Sequence, residues 1–420
     1  MFGHTEVSGD IWRGTLIVCA MRPRSDESDA PMGAELSAPA PAVDEGPSSA
    51  WWEWCSHPSG AEFTLGVEEE VMLVGPEDWA LAQQIDRVLP ALTDELLDHV
   101  TPETHMSALE LATGVHEGVA AAAVELRGLR TSLEQQLACL GLLVAGAGTH
   151  PFAVWHQTVV SSGSRQQLVY GSMRELARRE PTFALHVHVG IADPKRAIRV
   201  ANRMRAHLPL LLALSANSPF WQGRDTGLAS ARTPLFQAFP RVGIPRAFVS
   251  YEEYVAAVDL LIRCEAFPEP TFLWWDVRPQ PRFGTVEVRI MDTQSTMAET
   301  AALVALIQSL ARLEAQEGYA SEELLSSPEV LAENRFLAAR DGAEVSLVDP
   351  GTERRVPVRT VLGDVLQAAL PHARALGCED ELSTVPGLLE RPPAARQLRL
   401  ARRPDRLPGL VRELAAAFTA

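Results

Sequence analysis

The residues of this chain that could do chemistry are carboxylates and imidazoles that alternate with apolar residues along four short segments. They are Glu68 and Glu70, Glu110, His186 and His188, and Glu287. Because successive side chains of a β-strand point to opposite faces of the sheet, each segment predicts one apolar and one polar face. If the strands share a sheet, their polar faces bring these acidic and imidazole groups together.

Such a cluster is unfavourable by itself, because like charges repel and burial removes their water. A divalent cation resolves both costs, and oxygen ligands with an occasional imidazole suit Mg²⁺ or Mn²⁺. The sequence therefore predicts a magnesium or manganese site whose ligands come from several strands. The alternative for any one strand is an ordinary polar face in contact with solvent.

Three arginines could bind anions. Arg232 ends a glycine-containing loop, Arg278 follows two tryptophans and Asp-Val, and Arg289 lies on the polar face of its strand. Arginine can hold a carboxylate or a phosphate through two parallel hydrogen bonds. The chain has no Gly-x-x-x-x-Gly-Lys segment, so a P-loop is excluded, and cations and arginines would have to hold any nucleotide. The alternative for Arg232 is a structural arginine that braces its loop, and for any single arginine it is a surface salt bridge.

The elements that position these residues follow from the apolar periodicity. Predicted strands span residues 63–74, 104–113, 142–148, 183–191 and 284–292. Predicted helices span residues 119–139, 196–215, 251–264, 298–315, 328–340, 358–375 and 407–418. Strands and helices are interspersed without a regular βαβ rhythm, which predicts an α+β domain with a largely antiparallel sheet. Residues 217–245 and 278–283, rich in glycine and proline, are candidate lids.

Residues 1–60 differ in composition from the rest of the chain. The stretch 23–50 is dense in Pro, Ala, Ser, Asp and Glu and holds few large apolar residues. It cannot bury enough surface to offset the entropy of ordering, so we expect a disordered extension over residues 1–60, followed by one domain over residues 61–420. An incorrectly assigned start codon is an equal alternative. Trp51, Trp52 and Trp54 could still dock on the domain.

Charge and cysteine content exclude several classes of partner. With 37 Lys+Arg against 54 Asp+Glu, the formal net charge is −17, which argues against binding to nucleic acid or to an anionic membrane. The five cysteines are scattered and include no Cys-x-x-Cys, so neither a disulfide framework nor a zinc ribbon is expected. No apolar run approaches the length of a membrane span. The sequence predicts a cytoplasmic protein that acts on small molecules.

Several motifs, in order along residues 61–420, resemble the carboxylate–amine ligases of the glutamate–cysteine ligase type 2 family. They are Gly66-Val-Glu68-Glu-Glu70, Glu110-Leu-Ala-Thr-Gly114, Gly148-Thr-His150-Pro-Phe152, His186-Val-His188-Val-Gly190, the run 208–221, Asp225-Thr-Gly-Leu-Ala-Ser-Ala-Arg232, Trp274-Trp-Asp276-Val-Arg278-Pro and Thr285-Val-Glu287-Val-Arg289-Ile-Met-Asp292. Each motif is weak alone, and the ordered set is specific. The resemblance implies a glutamine-synthetase-like catalytic domain, with a curved, mainly antiparallel sheet, helices packed on its outer face and a site for ATP and Mg²⁺ or Mn²⁺.

The reaction implied by this resemblance activates a carboxylate with ATP as an acyl phosphate, which an amine then attacks. For the activity in the family's name, usually weak in such members, glutamate and cysteine give γ-glutamylcysteine, ADP and phosphate. The resemblance also implies a homodimer. The alternatives are a ligase for a different amino acid and amine, a metal-dependent hydrolase of amides or phosphates with the same ligands, and an inactive protein that senses an amino acid.

The same resemblance assigns roles to single residues. The implied metal ligands are Glu68, Glu70, Glu110, His186 and Glu287. His188 and Arg278 are expected on the nucleotide side, and Arg232 and Arg289 are expected to contact the substrate carboxylate or the transferring phosphate. The chain departs from the family pattern in its N-terminal extension and in Glu69. This third consecutive carboxylate should, by alternation, face the other side of the sheet.

Overall fold

Seven strands form the sheet that carries the polar residues of the sequence motifs. The computed structural model describes residues 50–57, 60–179 and 181–420. The strands are β1 (Leu65–Val74), β2 (Val100–Pro102), β3 (Ala108–Ala112), β4 (Leu143–Ala145), β5 (Ala184–Gly190), β6 (Val277–Gln280) and β7 (Thr285–Asp292). Their order is β6-β7-β5-β1-β3-β2, β4 also pairs with β1, and all these pairs are antiparallel. The predicted α+β fold with a mainly antiparallel sheet is confirmed.

Helices supply most of the remaining structure. Those of eight residues or more in the described part of the chain are α1 (Val119–Cys139), α2 (Ser164–Met173), α3 (Pro194–Met204), α4 (Leu208–Ser215), α5 (Tyr251–Arg263), α6 (Met297–Gln316), α7 (Pro328–Asp341), α8 (Val358–Leu376), α9 (Pro393–Leu400) and α10 (Arg406–Ala417). Shorter helices and 3₁₀ turns include Ile85–Val88, Asp94–Leu97, Arg232–Phe236, Pro281–Phe283, Glu322–Leu325, Glu379–Ser383 and Pro386–Glu390. Paired short strands are Phe220–Trp221 with Arg224–Asp225, Val242–Gly243 with Trp274–Trp275, and Ser346–Asp349 with Arg354–Pro357. Among the described residues, no helix combines the length and the apolar character that crossing a membrane requires.

The main core lies between the apolar face of the sheet and a layer of helices. α1 packs on β1, α6 on β5, and α3 and α4 on β7, while α8 covers the outer side of α6. Val67, Val187 and Val288, from three adjacent strands, are at most 2% exposed. α6 begins with a capping box, in which the side chains of Thr296 and Glu299 each accept from the other residue's main-chain nitrogen. Because the helices cover the apolar face, the opposite face is left for the polar side chains.

The helix predicted over residues 196–215 is in fact two helices, which corrects that prediction. α3 ends at Met204, and α4 begins at Leu208 with Pro209 in its first turn. Proline has no N–H to donate, and its ring clashes with the carbonyl of the residue four positions before it. A continuous helix is therefore interrupted there, and the chain turns before α4.

Residues 50–57 pack on the domain, which is the docking that the sequence allows for Trp51, Trp52 and Trp54 within the extension predicted to be disordered. The ring of Trp51 lies 6.1 Å from that of Tyr254, and the ring of Trp54 lies 5.9 Å from that of Tyr251, both edge to face. The rest of the disorder prediction concerns residue 60 and residues 1–49, 58 and 59. Residues 1–49, 58 and 59 lie outside the described residues, so for them it stays a prediction.

Candidate functional site

Strand register gathers the predicted carboxylates and imidazoles on one face of the sheet. The directly opposed pairs are Glu68 with His186, Glu70 with Glu110, and Glu287 with His188. β1 is central, because it pairs with β5 on one side and with β3 on the other. Antiparallel pairing of β3 with β1, of β1 with β5 and of β5 with β7 therefore places ligands from four strands next to one another, as the alternation in the sequence predicts.

The ligand atoms form three overlapping groups in which all members lie within 4.8 Å of one another. The groups are Glu68, His188 and Glu287; Glu68, Glu110 and His186; and Glu70, Glu103 and Glu110. Glu68 belongs to the first two groups and Glu110 to the last two. Shared carboxylates of this kind can bridge neighbouring cations, because each has two oxygens.

Burial and mutual repulsion control the protonation of the carboxylates. Burial and the neighbouring Glu103 raise the pKa of Glu70 to about 8, although Arg232 and Arg289 act in the opposite direction. Burial and three neighbouring carboxylates hold the pKa of Glu110 well above its ordinary range. Burial also acts to raise the pKa of Glu68, but His188 and His186 outweigh it and lower that pKa. Without a cation, part of this cluster would thus have to hold protons at neutral pH.

The imidazoles give an independent test of whether a cation fits this site. His186 is 2% exposed and His188 is 6% exposed, and the Nε2 atom of each is buried without a hydrogen bond in the described structure. The Nδ1 atom of His188 is paired with the Thr285 hydroxyl at 2.9 Å, which orients the ring so that Nε2 lies 3.2 Å from a Glu68 oxygen. A buried imidazole nitrogen that makes no hydrogen bond and lies close to carboxylate oxygens is a suitable cation ligand. The donor set fits Mg²⁺ or Mn²⁺.

Two arginines hold Glu287. Arg278 donates to both carboxylate oxygens, at 2.6 and 3.3 Å, and also to the Leu273 carbonyl. Arg289 makes an ion pair with the same carboxylate, and its Nη1 lies 3.4 Å from Nδ1 of His186. Burial favours the protonated form of Glu287, but the two arginines outweigh it and hold its pKa well below the ordinary range. Glu287 is therefore a fixed anion, held by Arg278 and Arg289 while its carboxylate stays close to Glu68 and His188.

The structure places Arg232 beside this cluster and engages its side chain with the backbone. One terminal nitrogen donates to the Ile290 carbonyl at 3.0 Å and the other to the Arg289 carbonyl at 3.3 Å. Asp292, with which it shares a longer ion contact of 3.9 Å, accepts hydrogen bonds from Ser218 and Ser230. Arg232 thus brings positive charge close to Glu70, while both of its terminal nitrogens connect the loop to β7.

Glu103 is a functional candidate that the sequence reasoning missed. It follows β2, and β2 pairs with β3 so that Thr101 lies opposite Glu110 and donates to it at 3.2 Å. This hairpin brings the Glu103 carboxylate within reach of Glu70 and Glu110. The strand predicted over residues 104–113 starts only at Ala108 in the structure. The short segment before it, which contains β2 and Glu103, carried the missed signal. Recognising a β2–β3 hairpin there would have identified Glu103.

Glu69 faces the other side of the sheet, which confirms the prediction from alternation. It has no exposed surface and receives two hydrogen bonds from Arg130 of α1, at 2.7 and 2.8 Å, and one from Thr300 of α6. Arg130 also donates to the carbonyls of Gln294 and Phe418. This pair connects β1 to α1, α6 and the C-terminal residues directly behind the carboxylates of the site.

A mainly apolar pocket opens beside His188. β1 contributes its floor from Leu65 to Glu68, and Thr113 and Val115 line a second wall. Phe283, from the turn between β6 and β7, and Thr285, the first residue of β7, line the remaining wall. The pocket therefore shares Glu68 and His188 with the first ligand group, and the rest of its lining is mainly apolar.

Comparison with known proteins now identifies the family. The model for glutamate–cysteine ligase family 2 matches residues 64–413. The chain belongs to this family. A Rubrobacter xylanophilus relative named "Putative glutamate--cysteine ligase 2-1" is 38% identical over 340 residues, which cover 80% of this chain and 89% of the relative. A Sorangium cellulosum relative named "Putative glutamate--cysteine ligase 2" is 38% identical, over 80% of this chain and 91% of the relative. The resemblance found in the motifs is confirmed.

Solved structures confirm the fold of this family-2 chain. The glutamate–cysteine ligase of Francisella tularensis, crystallised in complex with AMP, superposes with a TM-score of 0.64 at 13% identity, covering 86% of this chain and 89% of the other. A bifunctional glutathione synthetase of Pasteurella multocida gives the same TM-score at 14% identity, covering 86% of this chain and 52% of the other. At this identity the likeness concerns the fold alone, and the roles of single residues must be argued from the site.

Proposed function

We propose that the protein is an ATP-dependent carboxylate–amine ligase. The observation that carries this proposal is the set of three ligand groups that share Glu68 and Glu110 on one sheet face, beside Arg289, in a chain of glutamate–cysteine ligase family 2. Phosphoryl transfer requires positioning and neutralisation of negative charge, which this arrangement supplies. The AMP in the Francisella tularensis ligase supports an adenine nucleotide as the ligand.

In the proposed reaction, a carboxylate oxygen of the first substrate attacks the γ-phosphorus of ATP, and ADP leaves. The amine of the second substrate then attacks the resulting acyl phosphate. Phosphate leaves with the carboxylate oxygen, and the amine loses a proton. When bound, Mg²⁺ or Mn²⁺ would neutralise the negative charge of the phosphate oxygens. The residues that would hold these cations are Glu68, Glu70, Glu110, His186 and Glu287, with Glu103 and His188 as further ligands.

The other residues of the site position these ligands and bind anions. Arg278 keeps Glu287 ionised and fixed, on the nucleotide side. Arg289, whose side chain is 13% exposed, contacts the transferring phosphate or the substrate carboxylate. Arg232 adds charge beside Glu70 and either holds an anion itself or fixes the strand that carries Arg289. A buried site of this kind also limits the access of water, which would hydrolyse an acyl phosphate.

Glutamate and cysteine are the proposed substrates, because the relatives carry the name glutamate–cysteine ligase. The product would be γ-glutamylcysteine, formed with ADP and phosphate. A ligase for another amino acid and amine uses the same residues, since none of them identifies the organic substrates. A cytoplasmic location and a homodimer remain predictions from the sequence.

The test is ADP formation by the full-length protein, screened over a matrix of amino acids and amines with Mg²⁺ or Mn²⁺. We expect ADP to form only when a carboxylate substrate and an amine are both present, and chelation with EDTA to abolish it. Glu77→Gln, which alters an exposed carboxylate just after β1, is the matched control for substitutions in the site. ADP formation that needs no amine, or amide hydrolysis without ATP, would favour the metal-dependent hydrolase instead.

A further inference from the structure

Residues 50–57, here called the tryptophan segment, lie before the part of the chain that matches the family model, which begins at residue 64. The segment nevertheless makes specific contacts with the domain. The indole nitrogen of Trp54 donates to the Ile191 carbonyl at 2.9 Å, and the Tyr251 hydroxyl donates to the Trp52 carbonyl at 2.6 Å. These bonds fix the segment at the end of β5 and on α5.

The segment also closes tightly over the turn between β6 and β7. The main-chain nitrogen of Cys55 donates to the Pro281 carbonyl at 2.9 Å. Gly284 follows with a φ of +64°, and a Cβ built on it would lie 1.7 Å from the Cys55 carbonyl oxygen. Only glycine both adopts this conformation readily and leaves room for the segment. The turn and the segment therefore fit each other at backbone distance.

This turn carries a wall of the pocket beside His188. The ring of Phe283 lies edge to face with the His188 imidazole, with 5.7 Å between centroids. The hydroxyl of Thr285, one residue after the glycine, is hydrogen-bonded to Nδ1 of His188. Ile191, which accepts the hydrogen bond from Trp54, donates its own main-chain N–H to the Gly284 carbonyl. The segment thus contacts the turn at Pro281 and the residue Ile191 that is hydrogen-bonded to Gly284. Between these two contacts lies Phe283, which packs on His188.

We propose that Trp54 is a positioning residue for the pocket beside His188, and that this pocket takes the nucleotide of the proposed reaction. Trp54 holds the Pro281–Thr285 turn, through Ile191 and the backbone of Cys55, so that Phe283 and Thr285 shape the pocket beside His188. This proposal rests on the proposed function for the identity of the ligand. It also gives the tryptophan segment, which lies outside the residues matched by the family model, a part in shaping the site.

The test compares full-length variants by hydrogen exchange and by MgATP binding. Trp54→Ala should accelerate amide exchange in residues 281–285 at least ~5-fold and weaken MgATP binding, measured by calorimetry, by about 3- to 10-fold. Trp54→Phe keeps a ring against Tyr251 but loses the N–H donor, and should give a smaller change in the same direction. Trp52→Ala is the matched control, because its side chain is 42% exposed while its carbonyl still accepts from Tyr251. It should leave both measurements at the wild-type value.

Three results would overturn the proposal. One is unchanged exchange at residues 281–285 in Trp54→Ala. The second is accelerated exchange there with unchanged MgATP affinity. The third is faster exchange throughout the core, in α6 as much as in the turn, which would make Trp54 a general stabilising residue. If the wild-type protein binds no MgATP, the ligase proposal itself fails, and the exchange arm still decides whether Trp54 holds the turn.

Discussion

Glu68 is the carboxylate on which the site depends most. It belongs to two of the three ligand groups, and it is the one carboxylate of the cluster that lies close to both imidazoles, at 3.3 Å from His186 and 3.2 Å from His188. Its lowered pKa keeps it ionised near neutral pH, whereas Glu70 and Glu110 tend to hold protons in the absence of a cation. Glu68, like Glu287, is thus ionised and available as a ligand before Glu70 and Glu110 are.

We therefore expect Glu68→Gln to reduce metal-dependent ADP formation by at least ~100-fold, as for the loss of a strong electrostatic group in an active site. Glu287→Gln should have a comparable effect. Glutamine keeps the size of the side chain and removes its charge, so the loss reports on charge. Steady-state ADP release at saturating Mg²⁺ measures it, with Glu77→Gln as the control. Near-normal turnover in either site variant would remove that residue from the site.

Arg232 allows a second prediction, because substitution by lysine distinguishes its two hypothetical roles. These roles are a clamp on a bound anion and a brace that holds the loop on β7. A lysine ammonium cannot donate to both the Ile290 and Arg289 carbonyls in the fork geometry that the structure shows. The contacts favour a brace, so Arg232→Lys should lower the melting temperature and depress every activity in parallel. If instead thermal stability is kept while ligation falls about 10- to 1000-fold, Arg232 is a direct clamp on substrate or phosphate.

At the scale of elements, β1 connects the site to the core through its two faces. Glu68 and Glu70 lie on one face, and between them Glu69 reaches the other face and pairs with Arg130. Neither partner of this pair has any exposed side-chain surface. Removing one partner of a buried ion pair leaves an uncompensated charge, which costs far more than the pair itself contributes.

We expect Arg130→Met to lower the free energy of unfolding by about 3–5 kcal/mol. The double variant Glu69→Leu/Arg130→Met should recover much of that loss, because it removes both charges and leaves apolar groups of similar size. Urea denaturation of the three proteins, followed by circular dichroism, gives the comparison. Equal stability of the single and double variants would show that the charge left on Glu69 is not the cause.

The sequence predicted some elements well because their pattern is local. Alternation along β1 identified Glu68 and Glu70 as neighbours on one face and put Glu69 on the other. β2 and β6 have only three and four residues, too few for a periodic signal, so Glu103 was missed and Arg278 was not placed opposite Glu287. Docking of Trp54 on the domain was anticipated, but its partners Ile191 and Tyr251 were not, because they lie more than a hundred residues away along the chain.

At the scale of the whole molecule, two histidines outside the ligand groups are buried in their neutral form. Burial lowers the pKa of His105 to about 4, against a partial opposing effect of its hydrogen bond to the Ala177 carbonyl. Burial likewise lowers the pKa of His150 to about 4. Between the unfolded value near 6.5 and about 4, the unfolded chain binds protons that the folded protein does not. Stability is therefore lost as the pH falls through this range.

Each such histidine should contribute a slope of about 1 kcal/mol per pH unit to the free energy of unfolding between pH 6 and pH 4.5. His105→Gln can keep an N–H donor near the Ala177 carbonyl but does not titrate, so its stability profile should be flatter than that of the wild type by about that slope. Chemical denaturation across the pH series measures the difference, with His156→Gln, at an exposed histidine, as the control. An unchanged slope in His105→Gln would contradict the assignment.

The central claim, that a carboxylate is activated by phosphorylation, concerns the fate of one oxygen atom. The direct measurement uses a carboxylate substrate labelled with ¹⁸O, glutamate in the first instance, together with ATP, Mg²⁺, the amine and the wild-type protein in unlabelled water. Mass spectrometry of the released phosphate then gives its isotopic composition. If ligation passes through an acyl phosphate and both carboxylate oxygens are labelled, each phosphate released should carry one ¹⁸O. One such phosphate should appear for each ADP formed. Unlabelled phosphate would show that water attacked ATP directly, and it would contradict the account.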